Sequence, residues 1–263
     1  MKPGVFLTKK KDNSIYYRAS ITYKGKHISL GSFDSEEKAS RAYDEASLIV
    51  RENKYQIHDY NKTFSLSFEK WVCLINFRDN NMYCKTPIYL EDKYFIYYLS
   101  KSQHLIFDVD DLFYYSHHKI MKRGSHLFVA DYGMQVNILS RYGIKNYSVS
   151  GRDYIFKNGI NNDFRYSNIE VINRYHGVFR ETMQGRYVYV ARIHIIGDII
   201  IGRYKTDFEA AIAYNKATDL LKSKGSTKNY PVNYIDNMDA IQYSSAYAKV
   251  RISPAIRDYP EFC

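Results

Sequence analysis

The feature that most limits what this chain can fold into is an internal repeat. GVF, YYRASITYKGKHISLGSF and DSEEKASRAYDEASLIV near the start return, in the same order, as GVF, YVYVARIHIIGDIIIGRY and KTDFEAAIAYNKATDLL. Gly4 and Gly177 are 173 positions apart, Ala19 and Ala191 are 172, and Gly31 and Gly202 are 171. Each step down falls in a loop, one between the first two strands and one at the Gly25/Gly197 turn, where a deletion is tolerated. A self-similar stretch of this length is one supersecondary unit used twice. Any fold assigned to one copy must also suit the other.

Inside each copy, Tyr17-Arg18-Ala19-Ser20-Ile21 and Tyr189-Val190-Ala191-Arg192-Ile193 alternate as a strand with one buried face does. Lys24-Gly25-Lys26 and Ile196-Gly197-Asp198 are hairpin turns, and a third strand ends at Gly31 or Gly202. Asp34 and Asp207 sit where a helix N-cap or first-turn acid belongs, and Glu37 completes a capping-box pattern with Asp34. The stripe Ala39, Ala42, Tyr43, Ala46, matched by Ala210, Ala213, Tyr214, Ala217, predicts helices over about 35–50 and 207–223 that lie close on the sheet.

Taken together these elements resemble the Apetala-two/ethylene-response-factor DNA-binding domain. The shared pattern is an initial GV, an aromatic-x-A-x-I strand, the Gly turn, LGSF with its acid, AAxAYDxA, and a late N-F/Y-P. The last element is Asn229-Tyr230-Pro231 here, with Tyr60-Asn61 as a weaker counterpart. The resemblance spans residues 2 to 62 and 175 to 233. It implies a three-stranded antiparallel sheet braced by one helix, with the free sheet face entering the major groove of duplex DNA.

On that reading the DNA-binding residues are Phe6, Thr8, Lys9, Lys10, Arg18, Ser20, Thr22, Lys26, His27 and Ser29 in the first copy. In the second they are Phe179, Arg180, Arg192, His194 and Ile200. The family's Arg/Trp base-reading set is largely absent, and Glu181 and Asp198 bring negative charge to the second sheet. Residues 2 to 30 carry seven Lys and Arg (Lys2, Lys9, Lys10, Lys11, Arg18, Lys24, Lys26) against one acid, Asp12, so the first sheet is the better phosphate binder. Arg18 precedes its alanine and Arg192 follows its own. Only Ser20 and Arg192 match the family's base-reading position, which makes Arg192 the candidate base reader and Lys10 a phosphate contact.

The intervening residues 63–174 differ in character. Phe64 to Asp79 and Ile88 to Lys119 are aromatic, β-leaning runs, read as a third α+β unit. Its end, Lys157-Asn158-Gly159-Ile160-Asn161-Asn162-Asp163-Phe164-Arg165-Tyr166-Ser167-Asn168-Ile169-Glu170-Val171, resembles the D-G-N-x-x-D-N-R-x-S-N-L-R-V segment of HNH homing endonucleases. Gly159, Asp163, Arg165, Ser167 and Asn168 match without a gap. HNH chemistry needs a His to activate water and further His or Asp/Asn side chains to hold the metal. Here the His position is Phe156, the Asn position is Phe164, and the earlier His-Arg pair falls near Ser140-Arg141. No histidine lies between His126 and His176. Catalytic and metal-ligating residues are therefore none, and no cofactor is expected. His104, His117, His118 and His126 are read as exposed or hydrogen-bonded side chains.

The expected architecture is α+β, with two small sheet-plus-helix domains at 1–62 and 175–233, a degenerate HNH-like domain at 63–174 and a tail at 234–263. Thirty-eight Lys and Arg against 28 Asp and Glu give a net charge of +10, which favours a polyanionic partner. No apolar run reaches the roughly 18 residues of a membrane span, and MKPGVFLTKKK lacks the apolar core of a signal peptide. Cys73, Cys84 and Cys263 are too far apart for a thiolate metal site and read as ordinary thiols. The 28 tyrosines read as strand and core residues. These features predict an intracellular, DNA-associated, non-catalytic protein, found in a nucleoid or a nucleus according to its host, with duplex DNA as partner and neither membrane nor small-molecule substrate. A transcription regulator is the expected role. Two alternatives stand beside it: an HNH-type homing endonuclease with an unrecognised metal site, and an interaction module that has lost DNA affinity.

Overall fold

The computed structural model describes residues 3–9, 13–236 and 238–262. Lys2, Lys10, Lys11, Asp12 and Cys263 lie outside them. The chain is mixed α+β and divides into two units, one built from residues 1–138 and 160–168, the other from 139–159 and 169–263.

The first unit opens with β1 (Val5–Lys9), β2 (Ile15–Tyr23) and β3 (Lys26–Phe33), an antiparallel sheet in that spatial order. Val5 lies opposite Ala19 and Ala19 opposite Gly31, and these positions with Ile21 and Ile28 form the face that α1 (Glu36–Val50) covers. Ala39, Ala42 and Ala46 are fully buried, so the helix axis approaches the sheet as closely as a methyl group permits. The N-cap is Ser35, whose hydroxyl accepts from the Lys38 amide; Asp34 stands one residue earlier and pairs with the Lys38 ammonium. The sequence leaves Asp34 as N-cap or first-turn acid, and it is neither, standing just before the cap. The shorter serine reaches the N3 amide from an extended backbone, leaving the aspartate to pair with Lys38.

Residues 64–79 are expected from sequence to lean towards strand. Phe68–Asn80 is a helix, α2, capped by Ser67. Trp71, Leu74 and Ile75 recur at helical spacing and share the core beneath α1, so tertiary burial overrides a weak aromatic strand preference. The boundary drawn at 62/63 thus falls inside a single core. Beyond it come two further three-stranded antiparallel sheets, β4 (Ile88–Leu90), β5 (Tyr94–Ser100) and β6 (Gln103–Asp108), then, after α3 (Leu112–His117), β7 (Ile120–Arg123), β8 (His126–Asp131) and β9 (Met134–Asn137). Tyr97 and Tyr115 are fully buried here, with the Phe107 ring tilted against Tyr115 at 4.5 Å.

In the second unit β10 (Tyr154–Phe156) and β11 (Ile169–Val171) pair as a short antiparallel ladder. The repeat follows: β12 (Val178–Met183), β13 (Arg186–His194), β14 (Asp198–Tyr204), crossed by α4 (Asp207–Ser223). Here Thr206 is the N-cap, in a reciprocal capping box with Glu209, and Asp207 is the first-turn acid. The tail adds α5 (Ala240–Lys249) and α6 (Pro254–Arg257), and Ile256 of α6 joins the core of sheet and α4, so the boundary at 233/234 also falls inside one core.

The two repeats agree in irregular detail as well as in outline. Both sheets carry a β-bulge after the helix-facing alanine, between Ala19 and Ser20 and between Ala191 and Arg192. The amide of the bulged residue donates to the glycine that starts the copy, Ser20 to Gly4 at 2.9 Å and Arg192 to Gly177 at 2.7 Å.

Candidate nucleic-acid interface

Strand alternation sorts the first sheet into a core face and a free face. Phe6 lies opposite Arg18 and Arg18 opposite Ser32; Thr8 lies opposite Tyr16, Ser20 opposite Ser29 and Thr22 opposite His27. These side chains share the face away from α1. Phe6 is 54% exposed, Arg18, Thr22, His27, Ser29 and Ser32 are exposed, and Ser20 is buried at the bulge. Arg18 lies over the Tyr16 ring with its guanidinium carbon 5.8 Å from the centroid, and Thr22 Oγ1 sits 3.4 Å from His27 Nδ1. Among the described residues of this face there is no carboxylate. The face carries one guanidinium, one imidazole and several hydroxyls, with the exposed Phe6 ring at its edge.

Two expected contacts of this copy are elsewhere. Lys26 lies opposite Tyr23, on the core side, with its ammonium 5.9 Å from the Tyr83 ring. Lys9 falls by alternation on the side of Val5, and Lys10 lies outside the described residues.

The same positions in the second sheet make a different surface. Val190 stands where the first copy has Arg18, and it is fully buried. Its strand neighbour Phe179 is held between two guanidiniums, those of Arg152 and Arg192, each with its carbon 5.3 Å from the ring centroid. Arg192 also ion-pairs with Glu181 across the strands, and its Nε is shielded without a partner. His194 Nδ1 is 2.8 Å from Asp198. Arg180 lies on the opposite face, over Tyr187 and 3.3 Å from Glu170. Ile200 is 37% exposed, opposite Arg192. Arg180, Arg192 and His194 thus each lie beside a carboxylate, and the Phe179 face is partly roofed from within its own unit.

That roof is pinned by Asp153. Its carboxylate accepts from the Val149 amide at 2.8 Å, from the Arg152 guanidinium at 2.6 Å and from Asn173 Nδ2 at 3.0 Å. Burial alone would raise this carboxyl, but Arg152, Asn173 and the Val149 amide together hold it below the usual carboxylate range. Asn173 in turn accepts the Arg180 amide at 2.8 Å, tying the loop to the first strand of the repeat. No short motif in the sequence marks this arrangement; the surplus of Asp and Asn around 149–173 is its only trace.

The residues that match the HNH segment have structural partners. Asp163, 2% exposed, receives the Arg165 guanidinium on both oxygens, at 2.9 and 2.6 Å, and its carbonyl accepts Asn168 Nδ2 at 2.8 Å. Phe164, at the position of the nuclease's Asn, is buried and stacks on Phe107 at 5.4 Å. Upstream, His118 stacks on Tyr114 and its Nδ1 lies 2.9 Å from the Tyr114 carbonyl, while His117 Nδ1 lies 3.0 Å from the Phe113 carbonyl. Among the described residues, no group of three or more His, Cys, Asp or Glu is placed to hold a metal ion, and no helix is long and apolar enough to cross a membrane. Burial pushes the Cys73 and Cys84 thiols up to about 12 and about 11, so neither is a thiolate at neutral pH.

Compared with family models, curated proteins and solved structures, the chain has no match.

Proposed function

We propose that this protein binds duplex DNA through the free face of β1–β3 and acts as a non-catalytic DNA-binding regulator. The observation that carries the reading is the acid-free face bearing Arg18, His27, Thr22, Ser29 and exposed Phe6. Three strands about 4.8 Å apart put the outer backbones about 10 Å from one another, which suits a major groove about 12 Å wide. Hydroxyls and a guanidinium are the groups that bond base edges and phosphates, and desolvating a carboxylate beside phosphate would oppose binding.

The two sheets have unequal parts on this reading. The second sheet serves as a platform for the 147–153 loop, because its Arg18 equivalent is the buried Val190 and Arg192 is held by Glu181 and Phe179. That reverses the expectation from sequence, which favoured Arg192 as base reader.

Salt titrations of the full chain on preferred and scrambled duplexes test the proposal. Arg18→Ala should weaken binding to the preferred duplex by about 1 to 3 kcal/mol, and Arg192→Ala by less than about 0.5. If the Arg192 change costs more than the Arg18 change, the second sheet is the reading surface. Affinity that does not fall with salt would remove duplex DNA as the partner altogether.

A further inference from the structure

Between β14, the start of α4 and one side of α5 lies a groove of about 1050 Å³. Arg203, Lys205, Lys249 and Arg251 line it, all four are exposed, and none has a carboxylate within ion-pair distance among the described residues. The single carboxylate in the lining, Glu209, is engaged with the helix start, accepting the Lys205 and Thr206 amides at 3.2 and 3.3 Å. Between the cations lie the apolar Ile201, Phe208, Ile241 and Ile252 beside the polar Gln242 and Ser245. Phe208 is 37% exposed and Ile241 82% exposed, so both present apolar surface to the groove.

The geometry narrows what fits. α5 has no buried residue, and Ile241, Ser245 and Lys249 recur along the side that lines the groove, with the small Ser245 and Ala246 leaving room for close approach. Addition of an extended strand to β14 is closed off at this stretch. The Ser253 amide donates to the Ile201 carbonyl at 2.7 Å, the Ser253 hydroxyl to the Ile200 carbonyl at 2.8 Å, and the Tyr204 hydroxyl to the Arg251 carbonyl at 2.6 Å. A partner must therefore be held by side chains, as a helix laid in a groove is. With ten residues α5 is about 15 Å long, which matches two to three turns of a docked helix.

We propose that this groove docks an acidic amphipathic helix of a partner protein, its apolar stripe covering Phe208 and Ile241 and its carboxylates meeting Arg203, Lys205, Lys249 and Arg251. Charge complementarity selects the occupant: four unpaired cations around an apolar floor call for a ligand that is both acidic and apolar. A DNA backbone supplies the charge and would leave the floor wet.

The test uses the full chain and a fluorescent probe helix of about 14 residues, with leucines on one face and glutamates elsewhere. Binding is expected to weaken at least about tenfold in the Lys249→Glu/Arg251→Glu double variant and several-fold in Ile241→Ser, with duplex DNA affinity unchanged in both. A probe with lysine in place of glutamate should not bind. These side chains are solvent-facing, and circular dichroism checks that the variants fold. Peptide affinity that is absent in the wild type, or equal in the variants, overturns the proposal. So does a double variant that loses DNA affinity instead, which would assign the four cations to phosphate contacts.

Discussion

Gly4 and Gly177 have φ of +77° and +71°, a region that side-chain-bearing residues avoid. A Cβ on Gly4 would come within 2.7 Å of the Tyr43 ring, and one on Gly177 within 2.6 Å of the Arg192 carbonyl and closer still to the Tyr214 ring. Backbone conformation and packing both demand glycine, at the same place in both copies. Gly177→Ala should therefore destabilise the second unit by about 2 to 4 kcal/mol, read from chemical denaturation. A loss below about 0.5 would mean that the Tyr214 contact yields freely. His176, the next residue back, lies edge-on to Tyr147 at 4.6 Å and to Tyr214 at 5.3 Å, and burial lowers its pKa below the ordinary 6.5. The unfolded chain then takes up this proton at a higher pH than the folded one, so stability falls as pH drops below about 6.5. His176→Phe should flatten the slope of unfolding free energy against pH below about 6.5. Superimposable slopes for the two proteins would assign the pH dependence to other groups.

At the scale of helices, one position of the repeat carries opposite charges to opposite ends. Glu45 in α1 is buried, and its two oxygens accept the Ser65 and Leu66 amides, each at 2.9 Å, just before α2 begins. The matching residue of α4 is Lys216, whose ammonium donates to the Tyr247 and Val250 carbonyls at 2.8 and 2.9 Å, where α5 ends. An acid near the start of a neighbouring helix and a base at the end of one both complement the helix dipole and satisfy groups that the helix leaves unpaired. Glu45→Ala strands two amides, one of them buried, and should cost about 2 to 4 kcal/mol. Lys216→Met keeps the aliphatic stem and faces partly solvated carbonyls, so about 1 kcal/mol is expected. Trp71, the chain's one tryptophan, sits in the core shared by α1 and α2, so its fluorescence during urea unfolding reports the first variant directly. An unshifted Trp71 transition in Glu45→Ala would remove the capping role.

At the scale of the whole molecule, residues 160–168 are built into the first unit: Asp163 locks to Arg165, and the buried Phe164 stacks on Phe107. Removing a carboxylate that is 2% exposed leaves its partner unpaired, so Asp163→Ala should lower stability by about 2 kcal/mol; Arg165 is partly solvated, which moderates the cost. With magnesium or manganese and long duplexes, no nicking above background is expected. Metal-dependent cuts abolished by changing His117 or His118 would show that these histidines hold a metal after all.

A repeated order of elements, a glycine turn in each copy and an alanine stripe in each were enough to place both sheets and helices, because hydrophobic periodicity and positive-φ requirements are local properties of the chain. The Ser35 cap and the helix at Phe68–Asn80 were not legible, the first because two adjacent residues could each cap, the second because its type depends on the core that Trp71, Leu74 and Ile75 enter. The charge of the first free face was readable, since alternation alone puts Arg18, Thr22 and His27 together. That of the second was not. Whether Arg192 points at solvent or at Glu181 depends on cross-strand register, and whether Val190 meets water depends on chain that lies across its face after folding. Sequence by itself determined the two sheet-and-helix units and the lysine-rich, acid-poor start, because each arises within one stretch of chain. Only the tertiary structure decided which of the two faces remains open, because burial and ion pairing belong to residues that folding brings together from distant parts of the sequence.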